Sequence, residues 1–298
     1  RPSGSKLNST GGEASGQVPL MQMNNDSARG VIQGGSRRAA LYGSLHWKHQ
    51  DIFNFIKSKN WSPTFKKLKE ESYFNPAPLD FTNKSVRLDK EFGNALDRND
   101  SHAKKVWDMT IVNMLQTSEP GFQNDWDDQI FRNACTEIIS ADPYDVCNLG
   151  SVNIARLDNK SEFEKVLNVA TKFLYCGTIA GELPLPEMYE VRNKNRRLGV
   201  GLMGVHEWLL KRGMKYEWND KFKSWMETYK EVTDNVAEEC SKKTGLSKPV
   251  ATRAFAPNGT IGLLGETTTG IEPIFATAYK RKWLKNNNER VYEYVIDA

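Results

Sequence analysis

No stretch of this chain approaches the roughly 20 consecutive apolar residues that a membrane-crossing helix needs, so a helical integral membrane protein is excluded. Cysteine is scarce. The four, at 135, 147, 176 and 240, form neither the Cys-x-x-Cys pairs of a zinc site nor a dense disulfide framework. That usage fits a reducing, cytoplasmic setting, where a thiol matters for its chemistry. The four histidines, at 46, 49, 102 and 206, show no ligand spacing, and no metal site is expected. One-sided charge is also lacking: 41 Lys and Arg against 37 Asp and Glu leave a dispersed net of +4. The densest basic runs, Lys66-Lys67-Leu68-Lys69 and Lys280-Arg281-Lys282, read as solvated faces rather than a nucleic-acid stripe. An initiator Met and a signal peptide are missing at Arg1, and the expectation is a piece of a longer chain. What is present is 298 residues, 39% apolar and 26% charged, enough for the core of one large α/β domain.

Residues 1–19 are rich in Gly, Ser and Pro and read as loop, with turns at Thr10-Gly11-Gly12 and Ser15-Gly16. A helix is expected from about Pro19 to Ile32, stopped by Gly34-Gly35, and a strand around Ala39–Leu45. Asp51 is placed to cap a helix carrying Ile52, Phe55 and Ile56 on one face. Leu79–Leu88 reads as a strand entering a helix over Asp89–Asp97, and Ala103–Gln116 as a further helix. Phe163, Val166, Leu167, Ala170, Phe173 and Leu174 mark an amphipathic helix. The longest stripe runs from Phe222 to Cys240 and closes at Gly245, which makes Cys240 a core residue. Strand-like runs at Val152–Ile154, Leu198–Met203, Val250–Phe255 and Tyr292–Ile296 alternate with these helices, implying βαβ units and a parallel sheet or barrel. No linker divides the chain, so residues 1–298 are expected to form a single domain.

Three constellations carry chemistry. In Asn133-Ala134-Cys135-Thr136-Glu137, an extended backbone would place Asn133, Cys135 and Glu137 on one side. A thiol flanked by a carboxamide and a carboxylate suits hydrogen-atom and proton transfer; the alternative is a buried structural cysteine beside surface polar groups. Cys147 follows after a loop containing Ser140, Asp142 and Pro143. In Ala256-Pro257-Asn258-Gly259-Thr260-Ile261-Gly262, backbone N–H groups and side-chain donors could meet an anion at a helix start near Thr260, the alternative being an ordinary Asn-Gly turn. In Gln33-Gly34-Gly35-Ser36-Arg37, an amide and a guanidinium on a glycine loop suit a base and a phosphate, or simply a solvent-facing connection.

In this order, with Thr10–Gly16, Glu119-Pro120-Gly121, Arg196–Gly201 and Thr267–Pro273 between and around them, these segments resemble the catalytic subunit of ribonucleotide reductase. The short gap between Cys135 and Cys147 and the Pro-Asn-Gly-Thr-Ile-Gly loop resemble the adenosylcobalamin-dependent class II branch more than class I. The resemblance implies an α/β fold, part of a ten-stranded barrel with a central finger loop at about 129–146. It implies that Cys135 becomes the thiyl radical and abstracts the ribose 3′ hydrogen, that Glu137 takes the 3′-hydroxyl proton, and that Asn133 hydrogen-bonds the reacting region. Cys147 would be one of two redox-active thiols; Asn258, Gly259, Thr260 and Ile261 would cradle phosphates; Gln33, Gly34, Gly35 and Arg37 would sense the effector and close on the base. Implied partners are a ribonucleoside di- or triphosphate substrate, deoxynucleotide or ATP effectors, a thioredoxin-like reductant and adenosylcobalamin.

The family's second reducing cysteine lies upstream of the Thr-Gly-Gly segment and its carboxy-terminal redox cysteines lie beyond Ala298, so the barrel is expected to be incomplete. Cys176 has no family role. Two alternatives stand beside a class II enzyme fragment: a class I catalytic subunit served by a separate radical-generating subunit, and a non-catalytic nucleotide-binding piece of a split enzyme whose partner chain supplies the missing amino-terminal region.

Overall fold

Helix starts follow local capping chemistry. The side chains of Ser62, Asp89, Asp100, Asn159 and Asn219 each accept the backbone N–H three residues on, satisfying a donor that the first helical turn leaves open. The computed structural model describes residues 1–8, 11–33, 37–72, 74–125, 131–274, 276–284 and 290–296. The chain divides into two compact units, Arg1–Thr136 with Trp283–Val291, and Glu137–Lys282 with Tyr292–Ala298.

The first unit runs α1 (Gln17–Arg29), β1 (Ile32–Gln33), β2 (Arg37–Arg38), β3 (Leu41–His46), α2 (Ile52–Lys57), α3 (Pro63–Glu71), β4 (Thr82–Leu88), α4 (Lys90–Asp97), α5 (Ser101–Thr117), β5 (Gly121–Asn124) and β6 (Phe131–Arg132). Strands β3, β4 and β5 form one parallel sheet with Leu45 beside Val86 and Val86 beside Phe122. Those residues point to the helices, where Ile52, Phe55, Ile56, Val86, Phe92 and Val106 make the core. Helix α1 stops earlier than expected, at Gly30, because Ile32 and Gln33 pair with Arg38 and Arg37 as an antiparallel hairpin. Asp51 precedes α2 without capping it; its carboxylate instead accepts the Ser3 backbone N–H, at 3.0 and 3.1 Å to its two oxygens.

The second unit runs β7 (Ile139–Ser140), β8 (Asn148–Asn153), α6 (Lys160–Ala180), α7 (Pro186–Asn195), β9 (Leu198–Met203), α8 (Val205–Leu210), α9 (Asp220–Thr244) and α10 (Gly259–Leu264). Two further strands, β10 (Ala278–Leu284) and β11 (Arg290–Ile296), follow in the chain. Strands β8 and β9 are parallel. Leu198, Val200 and Leu202 pack onto α6 and α9 with Phe163, Leu167, Trp208, Trp225 and Tyr229. Helix α9 ends on left-handed Gly245, as the stripe requires. Cys240 packs against this core but is only half-buried. The expected strand Val250–Phe255 is reduced to a single parallel bridge, Val200 to Arg253. Ladder bonds run between this segment and β9 as far as Ala254 N–H to the Val200 carbonyl. Beyond it the chain leaves β9: the Asn258 N–H donates to the Thr269 carbonyl at 3.0 Å and its side chain accepts from Ser151. Among the described residues no helix is long and apolar enough to cross a membrane.

Candidate active site

Strand alternation gives each parallel sheet one face toward its helices and one face away. In the first unit the face away from the helices carries Tyr42, Ser44, Asn83, Ser85, Arg87 and Gln123. The Tyr42 hydroxyl donates to Gln123 Oε1 (2.8 Å), Gln123 Nε2 donates to Asp125 Oδ1 (2.6 Å), and Arg87 Nε holds the other Asp125 oxygen. Burial pushes the Tyr42 hydroxyl above its ordinary range, so it stays protonated and able to donate. Beside Tyr42 in the register stands Asn83, whose Nδ2 donates to the Ala134 carbonyl at 2.7 Å.

That bond moors the turn that bears Cys135. Thr136 N–H donates to the Asn133 carbonyl at 3.0 Å, and Thr136 has a positive φ of 65°. Residues 133–136 are therefore a tight turn, and the expected extended backbone with Asn133, Cys135 and Glu137 on one side does not occur. A turn that reverses within four residues cannot keep a two-residue alternation. Its effect is to leave Cys135 exposed. Asn83 was missed at the sequence level because nothing local distinguishes it from any polar strand residue.

In the second unit the face of β8 away from the helices carries Cys147, Leu149, Ser151 and Asn153, and β9 sets Gly199 and Gly201 beside them. These glycines make room. A Cβ on Gly199 would stand 2.4 Å from Leu149 and 3.0 Å from the Cys147 sulfur, and one on Gly201 would meet Ser151 Oγ and the Ala254 carbonyl at 2.8 Å. Burial pushes the Cys147 thiol up to about 12; Arg197 opposes the shift, while Asp145 and Glu137 reinforce it. Cys147 is thus held as S–H at neutral pH. Glu137 is half-buried, and its Oε2 is buried with no hydrogen-bond partner among the described residues. An orphan carboxylate oxygen is costly to bury unless something arrives to use it.

The loop before Cys147 is pinned by charge. Asp145 accepts from Arg197 Nε (2.9 Å), Ser140 Oγ (2.7 Å) and Asn195 Nδ2 (3.0 Å), while Asp142 pairs with Lys194 at 2.7 Å. Asn258 is buried, and its amide is already spent: Oδ1 accepts from Ser151 Oγ (2.9 Å) and Nδ2 donates to the Ala256 carbonyl (2.8 Å). It shapes the turn. The exposed groups are Gly259, Thr260 and Ile261, at the start of α10, where first-turn N–H groups have no helical acceptor. In the Gln33–Arg37 hairpin the two named residues are register partners. Gly34 and Gly35, and the side chains of Gln33 and Arg37, lie outside the described residues.

The described residues thus include an exposed thiol on a moored turn in the first unit, and a protonated thiol beside two strand glycines and a carboxylate oxygen without a hydrogen-bond partner in the second. The family model described as "Ribonucleotide reductase, barrel domain" matches residues 1–71 and 64–242, and the chain belongs to that family. It is 30% identical to the Vitamin B12-dependent ribonucleoside-diphosphate reductase of Mycobacterium tuberculosis, over 94% of this chain and 46% of that protein. It is 29% identical to the protein of the same description from Thermoplasma acidophilum, over 94% of this chain and 41% of that one. The fold is similar to that of the class Id ribonucleotide reductase alpha subunit of Actinobacillus ureae, with a TM-score of 0.74 at 18% identity, covering 93% of this chain and 55% of that one. The chain spans under half the length of the curated relatives it matches.

Proposed function

We propose that this chain carries the reacting thiols and the acid–base carboxylate of a ribonucleotide reductase that converts ribonucleotides to deoxyribonucleotides, within the ten-stranded barrel of that family. The observation that carries the reading is Glu137, whose buried Oε2 lacks a partner two residues after the exposed Cys135. In this role Cys135, as a thiyl radical, removes the ribose 3′ hydrogen and Glu137 accepts the 3′-hydroxyl proton. Cys147, protonated because it is buried, supplies hydrogen to the sugar and ends in a disulfide with a second thiol. Neither Cys176 nor Cys240 is that second thiol: both lie on α6 and α9, against the opposite face of the sheet from Cys147. The N–H groups of Gly259, Thr260 and Ile261 bind phosphate oxygens, and Asn258 sets their direction through Ser151.

Adenosylcobalamin, when bound, would supply the radical that oxidises Cys135; the names of the relatives and the exposure of that thiol both fit it. None of the residues described here is assigned to the corrin, and no step above depends on it. Substrate would be a ribonucleoside di- or triphosphate, the effectors deoxynucleotides or ATP acting at the Gln33–Arg37 loop, and the reductant a thioredoxin-like dithiol.

The test supplies the chain with adenosylcobalamin, a dithiol reductant and each ribonucleotide, with and without added polypeptide covering the rest of a relative's length. Deoxyribonucleotide formation lost in both Cys135→Ser and Glu137→Gln supports the assignment. Formation that survives Cys135→Ser overturns it, and nucleotide binding without turnover in either setting favours a non-catalytic binding piece.

A further inference from the structure

Two cysteines stand outside the chemistry above. Cys176 is exposed on α6 and Cys240 half-buried on α9, and each sits about one turn before the end of its helix. Both helices cross over the same face of the β8–β9 sheet between parallel segments, so they run side by side in the same direction. They stay in step along their length. Near their starts Phe163 stacks on Trp225 at 5.0 Å between centroids; near their ends the Tyr175 hydroxyl hydrogen-bonds Thr244 Oγ1 at 2.9 Å. Tyr175 and Ser241 are the immediate chain neighbours of the two cysteines, and their oxygens lie 3.5 Å apart. That places Cys176 and Cys240 at one level along the two helices. Charge on Cys176 is felt at Cys240, whose thiol is pushed up by burial first, then eased by Lys172 and raised again by Glu239 and Cys176.

We propose that Cys176 and Cys240 form a second dithiol, separate from the reacting cysteines, which an external disulfide oxidises to an interhelical staple between α6 and α9. Exposed Cys176 meets the external disulfide first. Its thiolate attacks one sulfur, forms a mixed disulfide and releases one thiolate; the Cys240 thiolate then attacks the Cys176 sulfur and releases the second. The two cysteines lose two electrons and two protons, and the external disulfide leaves as two thiols. The bond would close a long loop containing α7, β9 and α8, so oxidation raises the melting temperature of the chain.

The experiment uses the whole chain carrying Cys135→Ser and Cys147→Ser, fully reduced and then treated with oxidised glutathione. The expected result is loss of both titratable thiols, a mass lower by two hydrogens, one peptide linking positions 176 and 240, and a higher melting temperature that a dithiol reductant reverses. Adding Cys176→Ser must abolish the rise. The same linked peptide must also be recovered from the oxidised chain with all four cysteines, which keeps the test independent of how the double variant folds. Two glutathione adducts in place of the link, or thiols that persist, would overturn the proposal.

Discussion

The two parallel sheets use their free faces in opposite ways. In the first unit that face is filled: Tyr42, Gln123, Asp125 and Arg87 bond to one another in a chain, and Asn83 beside them moors the Cys135 turn. In the second it is stripped: Gly199 and Gly201 stand where side chains would be, leaving space for Cys147, Ser151 and the Asn258 turn. The buried layers differ as well. The second unit packs Trp208, Trp225, Phe163 and Tyr229 around aliphatic strand residues. The first also buries Lys84, whose Nζ donates to the Phe55 carbonyl (2.7 Å), the Ile56 carbonyl (2.8 Å) and Ser58 Oγ (3.0 Å) at the end of α2. A filled face makes an anchor for the turn that bears Cys135, whereas strand glycines let Leu149, Cys147 and Ser151 lie close against β9, and the two arrangements call for different residues.

The contrast can be broken most severely at Lys84. Lys84→Met keeps the bulk but takes the Lys84 donor from the Ile56 carbonyl and leaves the Phe55 carbonyl only its bonds from Ser58, an expected loss of about 3 kcal/mol by urea unfolding. Burial pushes Lys84 down to about 7, eased by Glu119 and reinforced by Lys59, so the native state binds its proton less tightly than the unfolded chain does. Wild-type stability should therefore gain from this group as pH rises above about 7, and Lys84→Met should lose that gain.

Next in size is a pair of glycines. Gly199→Ala forces a methyl onto Leu149 and Cys147, packed neighbours on the same face, and should cost about 2 kcal/mol. Gly43→Ala, in the first unit, meets only the flexible end of Met21 at 2.7 Å and should cost less than about 1 kcal/mol. Gly43 lies on the helix-facing side of β3, so equal losses at the two positions would mean that the cost at Gly199 does not come from the packed free face of β8 and β9.

The third prediction concerns Cys147. Its folded pKa, pushed up to about 12, lies above the ordinary 9.0, so the stability that the buried S–H contributes is complete below 9.0 and is lost as pH rises toward 12. Thermal melts should fall over that window by at most about 1.4 kcal/mol per pH unit. Cys147→Ala should lack that component. The smallest effect is Tyr42→Phe, which removes one hydrogen bond from the filled face and should cost about 1 kcal/mol. Because that bond joins β3 to β5 and not Asn83 to the turn, the accessibility of Cys135 to a thiol reagent should be unchanged.

Much of the architecture was readable in the linear pattern. The stripe from Phe222 to Cys240 and its Gly245 stop became α9, Leu198–Met203 became β9 to the residue, and the helix expected over Asp89–Asp97 is α4, with Asp89 as its cap. Helices α3, α7 and α8 were not foreseen, being short, with Pro63 and Pro186 at the starts of two and left-handed Gly204 before the third. The site was half legible. Cys135, Glu137 and Cys147 stood out as residue types, but their environments did not, and Asn258 was read as a ligand group where the fold uses its amide internally.

By itself the sequence determined what short-range physics controls: helix periodicity, caps, glycine stops and the order of motifs that places the chain in its family. Only the tertiary structure decided that Cys135 rides a turn held by Asn83, that Glu137 buries an oxygen without a partner, and that Lys84 lies in the core. It also decided that Cys176 and Cys240 stand at one level of the neighbouring helices α6 and α9. Each of these rests on contacts between residues far apart in the chain, set by how sheets and helices pack, and no local pattern encodes such a contact.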